Sequence, residues 1–373
     1  MKVLITGANG FVGKNLSVRL SERLDIEVLP FTRDSSIDEL RQHVGNADFI
    51  FHLAGVNRPT DPADFAAGNA ELTQTLCELI AQSGRKIPIV YTSSIQAERD
   101  NPYGISKRRA ETMLVDLANR SGSSVYIFRL PNVFGKWCRP NYNSVVATFC
   151  HNICRDLPIQ VNDLNAEITL VYVDDVIHQF VQLMDGQINE GVFAKVEPEY
   201  VTTIGKLADQ ILAFKQSRQT LVTERVGTGF VRALYATYVS YLPPAIFSYV
   251  VPQYSDPRGV FVEMLKTQDS GQFSYFTAHP GITRGSHYHY SKTEKFLVIK
   301  GEARFGFRHI ITNEYYAIIT SGSKPEIVET IPGWTHDITN IGEDEMIVML
   351  WANEIFDREN PDTYVRPVNH EKT

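Results

Sequence analysis

Three glycines at intervals of three, Gly7, Gly10 and Gly13, stand between the apolar run Val3-Leu4-Ile5 and an amphipathic stretch from Lys14 to Leu24. A strand that passes into a helix through glycines can turn tightly and let its backbone approach a ligand. The helix N-terminus then faces that ligand with free N–H groups, an arrangement suited to a pyrophosphate. Glycines alone would mark only a turn; the strand before and helix after make this a nucleotide cradle. The pattern continues downstream. Glu27-Val28-Leu29, Asp48 to Leu53, Ile87 to Thr92 and Ser124 to Arg129 read as strands. Ile37 to His43, Leu72 to Ser83 and Lys107 to Asn119 read as helices. Apolar strands alternating with helices predict a parallel sheet covered on both faces.

The style changes after Pro252. From Val260 onward, short β-rich runs are separated by Gly, Asn, Asp and Pro, which predicts an antiparallel sandwich or barrel. The boundary is expected between Pro243 and Asp256, with one domain over residues 1–245 and a second over 252–373. The length, 373 residues, suits two or three domains of ~150 residues each. A formal net charge of −7 argues against nucleic acid as a partner. Four cysteines are too few for a disulfide scaffold and fit a reducing, cytoplasmic location. Cys150 and Cys154, with His151 between them, read as helix positions rather than a metal site, because no second pair exists. The chain opens directly into Met1-Lys2-Val3-Leu4-Ile5, so no targeting segment is expected. The apolar stretch from Gly229 to Val251 carries Arg232 and is split by Pro243-Pro244. It reads as a buried helix, a domain joint or a subunit contact, not a membrane span.

Two features of the first half carry chemistry. An acidic residue after the second strand would bond the 2′-hydroxyl of NAD, but the chain reads Phe31-Thr32-Arg33. Arg33 can pair with a 2′-phosphate, which favours NADPH. In Tyr103-Gly104-Ile105-Ser106-Lys107, the lysine lies one helical turn from the tyrosine, on the same face. An ammonium there is expected to lower the Tyr103 pKa and make the phenol a usable acid. Thr92-Ser93-Ser94 ends the preceding strand, where the Ser94 hydroxyl can polarise a carbonyl.

These motifs, together with His52-Leu53-Ala54-Gly55, Asn69, Arg129 to Gly135 and Val171 to Val176, resemble the extended short-chain dehydrogenase/reductases over roughly residues 1–240. The resemblance implies a Rossmann-like domain. Its cofactor would be lined by Gly7, Asn9, Gly10, Phe11, Val12, Gly13, Thr32, Arg33, Leu53, Ala54, Tyr103 and Lys107. It implies catalysis by Ser94, Tyr103 and Lys107, and substrate contact at Asn132. Asn69 matches a helix asparagine whose role in that family is structural or in proton relay. Nucleotide-sugar dehydratases of the family carry an Asp-Glu pair after the catalytic hydroxyl residue. Here Ser94 is followed by Ile95-Gln96, so a carbonyl reductase is the expected reaction.

In the second half, Gly281, His287, His289, Glu294 and Gly301 are followed by Pro332-Gly333, His336 and Asn340. Alternate residues of a strand share a face, so His287 and His289 are expected to point inward together. With Glu294 and His336 they would suit a divalent transition metal, zinc by default; the alternative is a polar pocket without metal. The two groups of residues resemble the two cupin motifs, which implies a jelly-roll barrel. Asp256 to Glu263 and Arg284 to Tyr288 resemble the nucleotide-4-keto-6-deoxysugar epimerases, also cupins. In those epimerases the histidine at the position of His287 is a base, so His287 is either base or ligand.

An epimerase-like cupin behind a nucleotide-sugar reductase resembles the bifunctional epimerase–reductases of UDP-N-acetyl-L-fucosamine synthesis. That resemblance implies a UDP-linked 4-keto-6-deoxy-amino sugar as substrate, inverted at C3 and reduced at C4 by NADPH. The product would be UDP-2-acetamido-2,6-dideoxy-L-talose, for capsule and O-antigen sugars, made by a homodimer or higher homo-oligomer. Two rival readings stay open: a reductase with a purely structural cupin, and a non-catalytic dinucleotide sensor.

Overall fold

In β1 (Lys2–Thr6) the apolar run Val3, Leu4 and Ile5 is fully buried, as a central strand covered on both faces must be. The computed structural model describes residues 1–57, 61, 65–251, 253–256, 259–262, 265–267, 271–354 and 359–369. It divides into two compact units, Met1–Ser144 with Ile168–Thr202, and Val145–Glu167 with Thr203–Thr373.

The first unit runs β1, α1 (Phe11–Ser21), β2 (Glu27–Phe31), α2 (Ile37–Asn46), β3 (Phe49–His52), α3 (Leu72–Ser83), β4 (Ile89–Ser94), α4 (Pro102–Ser121), β5 (Val125–Leu130) and β6 (Asn132–Phe134). After α5 (Val145–Ile153), which groups with the second unit, it continues with β7 (Glu167–Tyr172), α6 (Val173–Met184), β8 (Phe193–Ala194) and β9 (Glu199–Thr203). The main sheet has the order β2-β1-β3-β4-β5-β8 and is parallel throughout. From β1 the chain steps outward to β2, then crosses back past β1 to β3 and continues the other way to β4 and β5, so the direction of winding reverses at β1 and β3. The crevice between the carboxyl ends of β1 and β3 is therefore the switch point, where ligands bind in such sheets. Leu4, Ile50, Ile89 and Ile127 of the sheet pack with Leu76 and Ile80 of α3 and Leu114 and Leu117 of α4 in one core.

Two helices differ from expectation at their starts. α1 begins at Phe11 rather than Lys14 and stops at Ser21, leaving Leu24 exposed. α4 begins at Pro102, five residues before Lys107. Asn101 caps it by accepting the Gly104 N–H at 2.8 Å, and Pro102 sits in the first turn, where no N–H is needed.

The second unit adds α7 (Ile204–Thr220), β10 (Val222–Thr223), α8 (Gly229–Ser240), β11 (Ser248–Val250), β12 (Gln253–Asp256), β13 (Gly259–Val262) and β14 (Lys266–Thr267). There follow β15 (Gln272–Ala278), β16 (Thr283–Tyr288), β17 (Glu294–Lys300), β18 (Glu302–His309), β19 (Tyr315–Ser321), β20 (Glu326–Glu329), β21 (Trp334–Asn340), β22 (Met346–Ala352) and β23 (Tyr364–Val365). Two antiparallel five-stranded sheets form, in the orders β11-β20-β17-β22-β15 and β19-β18-β21-β16-β23. The expected sequence of a parallel α/β sheet followed by an all-β region is thus present. Of the epimerase-like segment Asp256 to Glu263, the residues Pro257, Arg258 and Glu263 lie outside the described residues.

The helices of this unit are tied to its strands by buried charge. Glu329 on β20 receives Lys295 of β17 at 2.6 Å, Arg218 of α7 at 3.4 Å and the Tyr235 hydroxyl of α8 at 3.3 Å. Cys150 and Cys154 are buried around α5, and the Cys154 thiol donates to the Tyr241 carbonyl, as helix positions would. Within the stretch from Gly229 to Val251, Ala233 to Val239 of α8 are buried. Among the described residues no helix is long and apolar enough to cross a membrane.

Candidate functional site

The glycine loop lies at the switch point of the sheet. Gly7 adopts φ +71° and donates its N–H to Phe31 O at 2.9 Å. A Cβ there would stand 2.7 Å from the Ala54 nitrogen, and one on Gly13 would stand 2.2 Å from Gly7 O. Side chains are therefore excluded at both positions. Gly10 caps α1 without a side-chain bond, which leaves first-turn N–H groups free for an anion. Asn9 is exposed on the loop, with Phe11 and Val12 half-buried beside it. Phe31 O accepts both the Gly7 and Ala8 N–H groups, so Thr32 and the exposed Arg33 emerge next to the loop.

Leu53 and Ala54 form the facing lip, at the end of β3. The Ala54 N–H donates to the Thr6 hydroxyl, which also meets His52 Nδ1 at 2.7 Å. His52 Nε2 meets the Thr73 hydroxyl at 2.8 Å. Burial, helped by the nearby Lys107 charge, pushes His52 down to about 3, so it is a neutral brace beneath the lip. Asn69 bonds Val56 through both its N–H and its carbonyl, and bonds the Ser106 hydroxyl at 3.0 Å. It joins the lip to α4.

β4 and α4 bring the hydroxyls and the lysine together. Ser94 ends β4, where its hydroxyl accepts the Gln96 N–H at 3.2 Å and lies near enough to the Tyr103 phenol to pull against its raised pKa. Lys107 is buried, donates to Thr92 O at 2.9 Å, and lies where a Cβ on Gly55 would come within 3.1 Å of its Nζ. Burial pulls it down to about 8, with Glu111 opposing. One expectation is corrected: the Tyr103 pKa is raised, not lowered. Burial raises it, the Ser94 hydroxyl opposes, and the Lys107 ammonium is committed to Thr92 O. Glu111, one turn beyond Lys107, was not singled out from sequence. It accepts Ser93 Oγ at 2.5 Å and pairs with Arg129 at 2.6 Å, clamping the end of β4 to α4. Its only sequence signal was the i+4 spacing from Lys107. Asn132 is exposed on β6, its amide donating to Thr169 O at 3.1 Å.

A second site forms in the β-rich unit. His287 on β16 pairs in register with His336 on β21. A bulge between Gly285 and His287, with Ser286 at φ +60°, precedes this pair. His289 lies just past the end of β16, and Glu294 opens β17. One donor atom from each of the four lies within 4.8 Å of the others, so all four expected ligands converge. Their chemistry asks for a cation. His289 Nδ1 is 2.6 Å from Asp362 O, which can only accept, so Nδ1 carries the proton. His289 Nε2 then lies 3.1 Å from a Glu294 oxygen, with His336 Nε2 3.5 Å from the same oxygen. Both His336 nitrogens are buried without a hydrogen-bond partner. Lone pairs facing a carboxylate in a buried site repel unless a proton or metal ion stands among them.

Residues 3–194 match the NAD dependent epimerase/dehydratase family, and residues 254–364 match the polysaccharide biosynthesis C-terminal domain. The chain belongs to the NAD-dependent epimerase/dehydratase family. It is 65% identical over 364 residues, 98% of each chain, to a Pseudomonas aeruginosa protein named UDP-2-acetamido-2,6-beta-L-arabino-hexul-4-ose reductase. It is 43% identical to the crystal structure of CapF, a capsular polysaccharide assembling protein of Staphylococcus aureus. That match has a TM-score of 0.69 and covers 98% of this chain and 100% of that one. UDP-glucuronic acid 4-epimerase of Bacillus cereus, at 19% identity and TM-score 0.51 over 59% of this chain and 85% of that one, shares the fold. Membership of the epimerase/dehydratase family implies a nicotinamide cofactor. The loop fits one, since Gly7 and Gly13 let its backbone fold tightly against Ala54 and against itself, and α1 starts behind it without a side-chain cap on its first N–H groups.

Proposed function

We propose that this family member is a bifunctional nucleotide-sugar enzyme that reduces C4 and inverts C3 of a UDP-4-keto-6-deoxy-N-acetylhexosamine. The observation that carries the reductase half is the Ser94–Tyr103 hydroxyl pair at the end of β4, with Lys107 buried beside it. Gly7, Asn9, Gly10, Phe11, Val12, Gly13, Thr32, Arg33, Leu53 and Ala54 hold the cofactor, and Arg33 selects NADPH by pairing with its 2′-phosphate. NADPH supplies the hydride. Ser94 donates a hydrogen bond to the C4 oxygen and Tyr103 transfers the proton that the new alkoxide needs. Lys107 orients this end of the pocket and carries the compensating charge. Asn132 contacts the substrate.

His287, His289, Glu294 and His336 hold a divalent metal, zinc by preference, in a cupin barrel. A metal there acts as a Lewis acid. The C4 ketone acidifies the C3 proton, and a base of this barrel removes it and returns it to the other face. His287 is that base if the other three residues suffice as ligands. The full-length similarity to a relative named as a hexul-4-ose reductase supports the substrate class. The product is UDP-2-acetamido-2,6-dideoxy-L-talose for capsule or O-antigen synthesis, made in the cytoplasm by a homodimer or higher homo-oligomer.

NMR of the keto-sugar in D₂O, with and without NADPH, tests both halves. Deuterium is expected at C3 without NADPH, followed by C4 reduction once NADPH is added. Reduction without C3 exchange would sink the epimerase half and leave a ketoreductase with a structural metal site. No reaction under either condition would remove the substrate class.

A further inference from the structure

We propose that Asp362, from the segment after β22, is the positioning residue of the histidine–glutamate cluster, holding His289 by its carbonyl and the loop between His289 and Glu294 by its carboxylate. This rests on reading the cluster as a metal site. Asp362 stands 73 residues from His289, and the two meet only in the folded unit.

The main-chain oxygen of Asp362 takes the Nδ1 proton of His289 at 2.6 Å. This fixes which ring nitrogen faces Glu294 and sets the plane of the ring, as carbonyl partners of metal-binding histidines do. The carboxylate accepts three consecutive backbone N–H groups, Tyr290 at 3.0 Å, Ser291 at 2.9 Å and Lys292 at 2.8 Å, and the Ser291 hydroxyl at 3.1 Å. Consecutive N–H groups around an anion form a rigid nest. The same loop carries both flanking members of the cluster. Its far end is fixed independently, by the Thr293 N–H on Asn353 and the Glu294 N–H on the Thr330 hydroxyl. Asp362 thus supplies the hold at the His289 end. The backbone pays for the arrangement locally, with φ +37° at a residue other than glycine.

The neighbouring chain extends the clamp. Lys292 Nζ donates to Pro361 O and to the Thr363 hydroxyl, and β23 pairs His287 with Val365 along β16. The segment from Pro361 to Val365 therefore binds the strand that carries His287 and the loop that leaves it. Its effect on the cluster is geometric, because no Asp362 atom is itself a ligand.

The test uses the full chain, stripped of metal and titrated with Co(II), read by its visible d–d absorption and by competition with a chelator. Wild type is expected to take up a stoichiometric amount with a defined spectrum. Asp362→Asn keeps the main-chain carbonyl and the side-chain shape but turns an N–H group toward the nest. It is expected to weaken Co(II) binding ~10–100-fold and to change the band shape. Asp362→Ala should do so at least as strongly, and if it fails to fold, the isosteric Asn variant decides. Thr363→Val, which removes the hydroxyl's bonds to Lys292 Nζ and Pro361 O but leaves every Asp362 contact in place, is expected to weaken Co(II) binding far less than Asp362→Asn. Wild-type affinity and spectrum in folded Asp362→Asn would overturn the proposal, even with a lowered Tm, since Asp362 would then only stabilise the fold. No uptake by wild type would instead remove the metal reading beneath it.

Discussion

Burial acts on Tyr103 and Lys107 in opposite directions, because it disfavours the charged form of each. Lys107 falls from 10.5 to about 8, which at ~1.4 kcal/mol per unit makes its buried charge cost about 3 kcal/mol. Its folded value lies below its unfolded one, so between these values the unfolded chain binds the extra proton. Stability is therefore expected to rise as pH goes from about 8 toward 10.5. Lys107→Met is expected to raise stability at pH 7 in urea titrations and to flatten that pH dependence, while NADPH-dependent reduction drops at least tenfold. Tyr103→Phe should lower kcat by ~10²–10⁴ with an unchanged circular dichroism spectrum. The Tyr–Lys spacing was legible because it is local to one helix turn. The direction of the Tyr103 shift was not, since it depends on how deeply the phenol is buried and on which atom the ammonium reaches, here Thr92 O.

Elements seat these residues through close backbone contacts. A Cβ on Gly104 would come within 2.3 Å of Gln96 O and 2.4 Å of Arg99 O, so the first turn of α4 rests directly on the 3₁₀ turn Ile95–Glu98. Gly104→Ala must push that turn away and Tyr103 with it. A loss of ~1–3 kcal/mol is expected, with kcat reduced more than NADPH affinity; urea denaturation and fluorescence titration read the two. Gly13→Ala should show the reverse split, with cofactor affinity lost first, because its Cβ would enter Gly7 O. The glycine loop and most strands were legible because apolar runs and helical periods repeat within a few residues. The start of α4 was placed late because its signal is a cap and a proline, Asn101-Pro102, rather than a period. The bulge at Ser286 left no sequence signal beyond Gly285.

Over the whole molecule, stability in the second unit hinges on Glu329. It is buried with Lys295 and Arg218 against it, and Tyr249 bonds Lys295 at 2.9 Å. Glu329→Gln leaves two buried cations without their counter-charge and is expected to cost ~3–5 kcal/mol. Glu98→Gln, which breaks an ion pair whose carboxylate is 72% exposed, should cost under ~1 kcal/mol. Equal losses in chemical denaturation would show that the buried network carries no special weight. This network also explains why α7 and α8 group with the strands. The chemical change of style after Pro252 marks where strands take over, whereas compactness follows buried partners and places α5, α7 and α8 in the second unit. Short-range spacing specified the α/β sheet followed by β-structure, the glycine loop and the Tyr103–Lys107 pair, since each pattern is written within a strand, a turn or a helix, whereas the four cluster residues come from two separate motifs whose meeting was expected from their resemblance to the cupin pair. Folding decided the rest: Glu111 beneath Ser93, His52 as a neutral brace, the proton on His289 and the hold of Asp362. These depend on which distant atoms meet, on how much water is excluded there, and on which donor finds which acceptor.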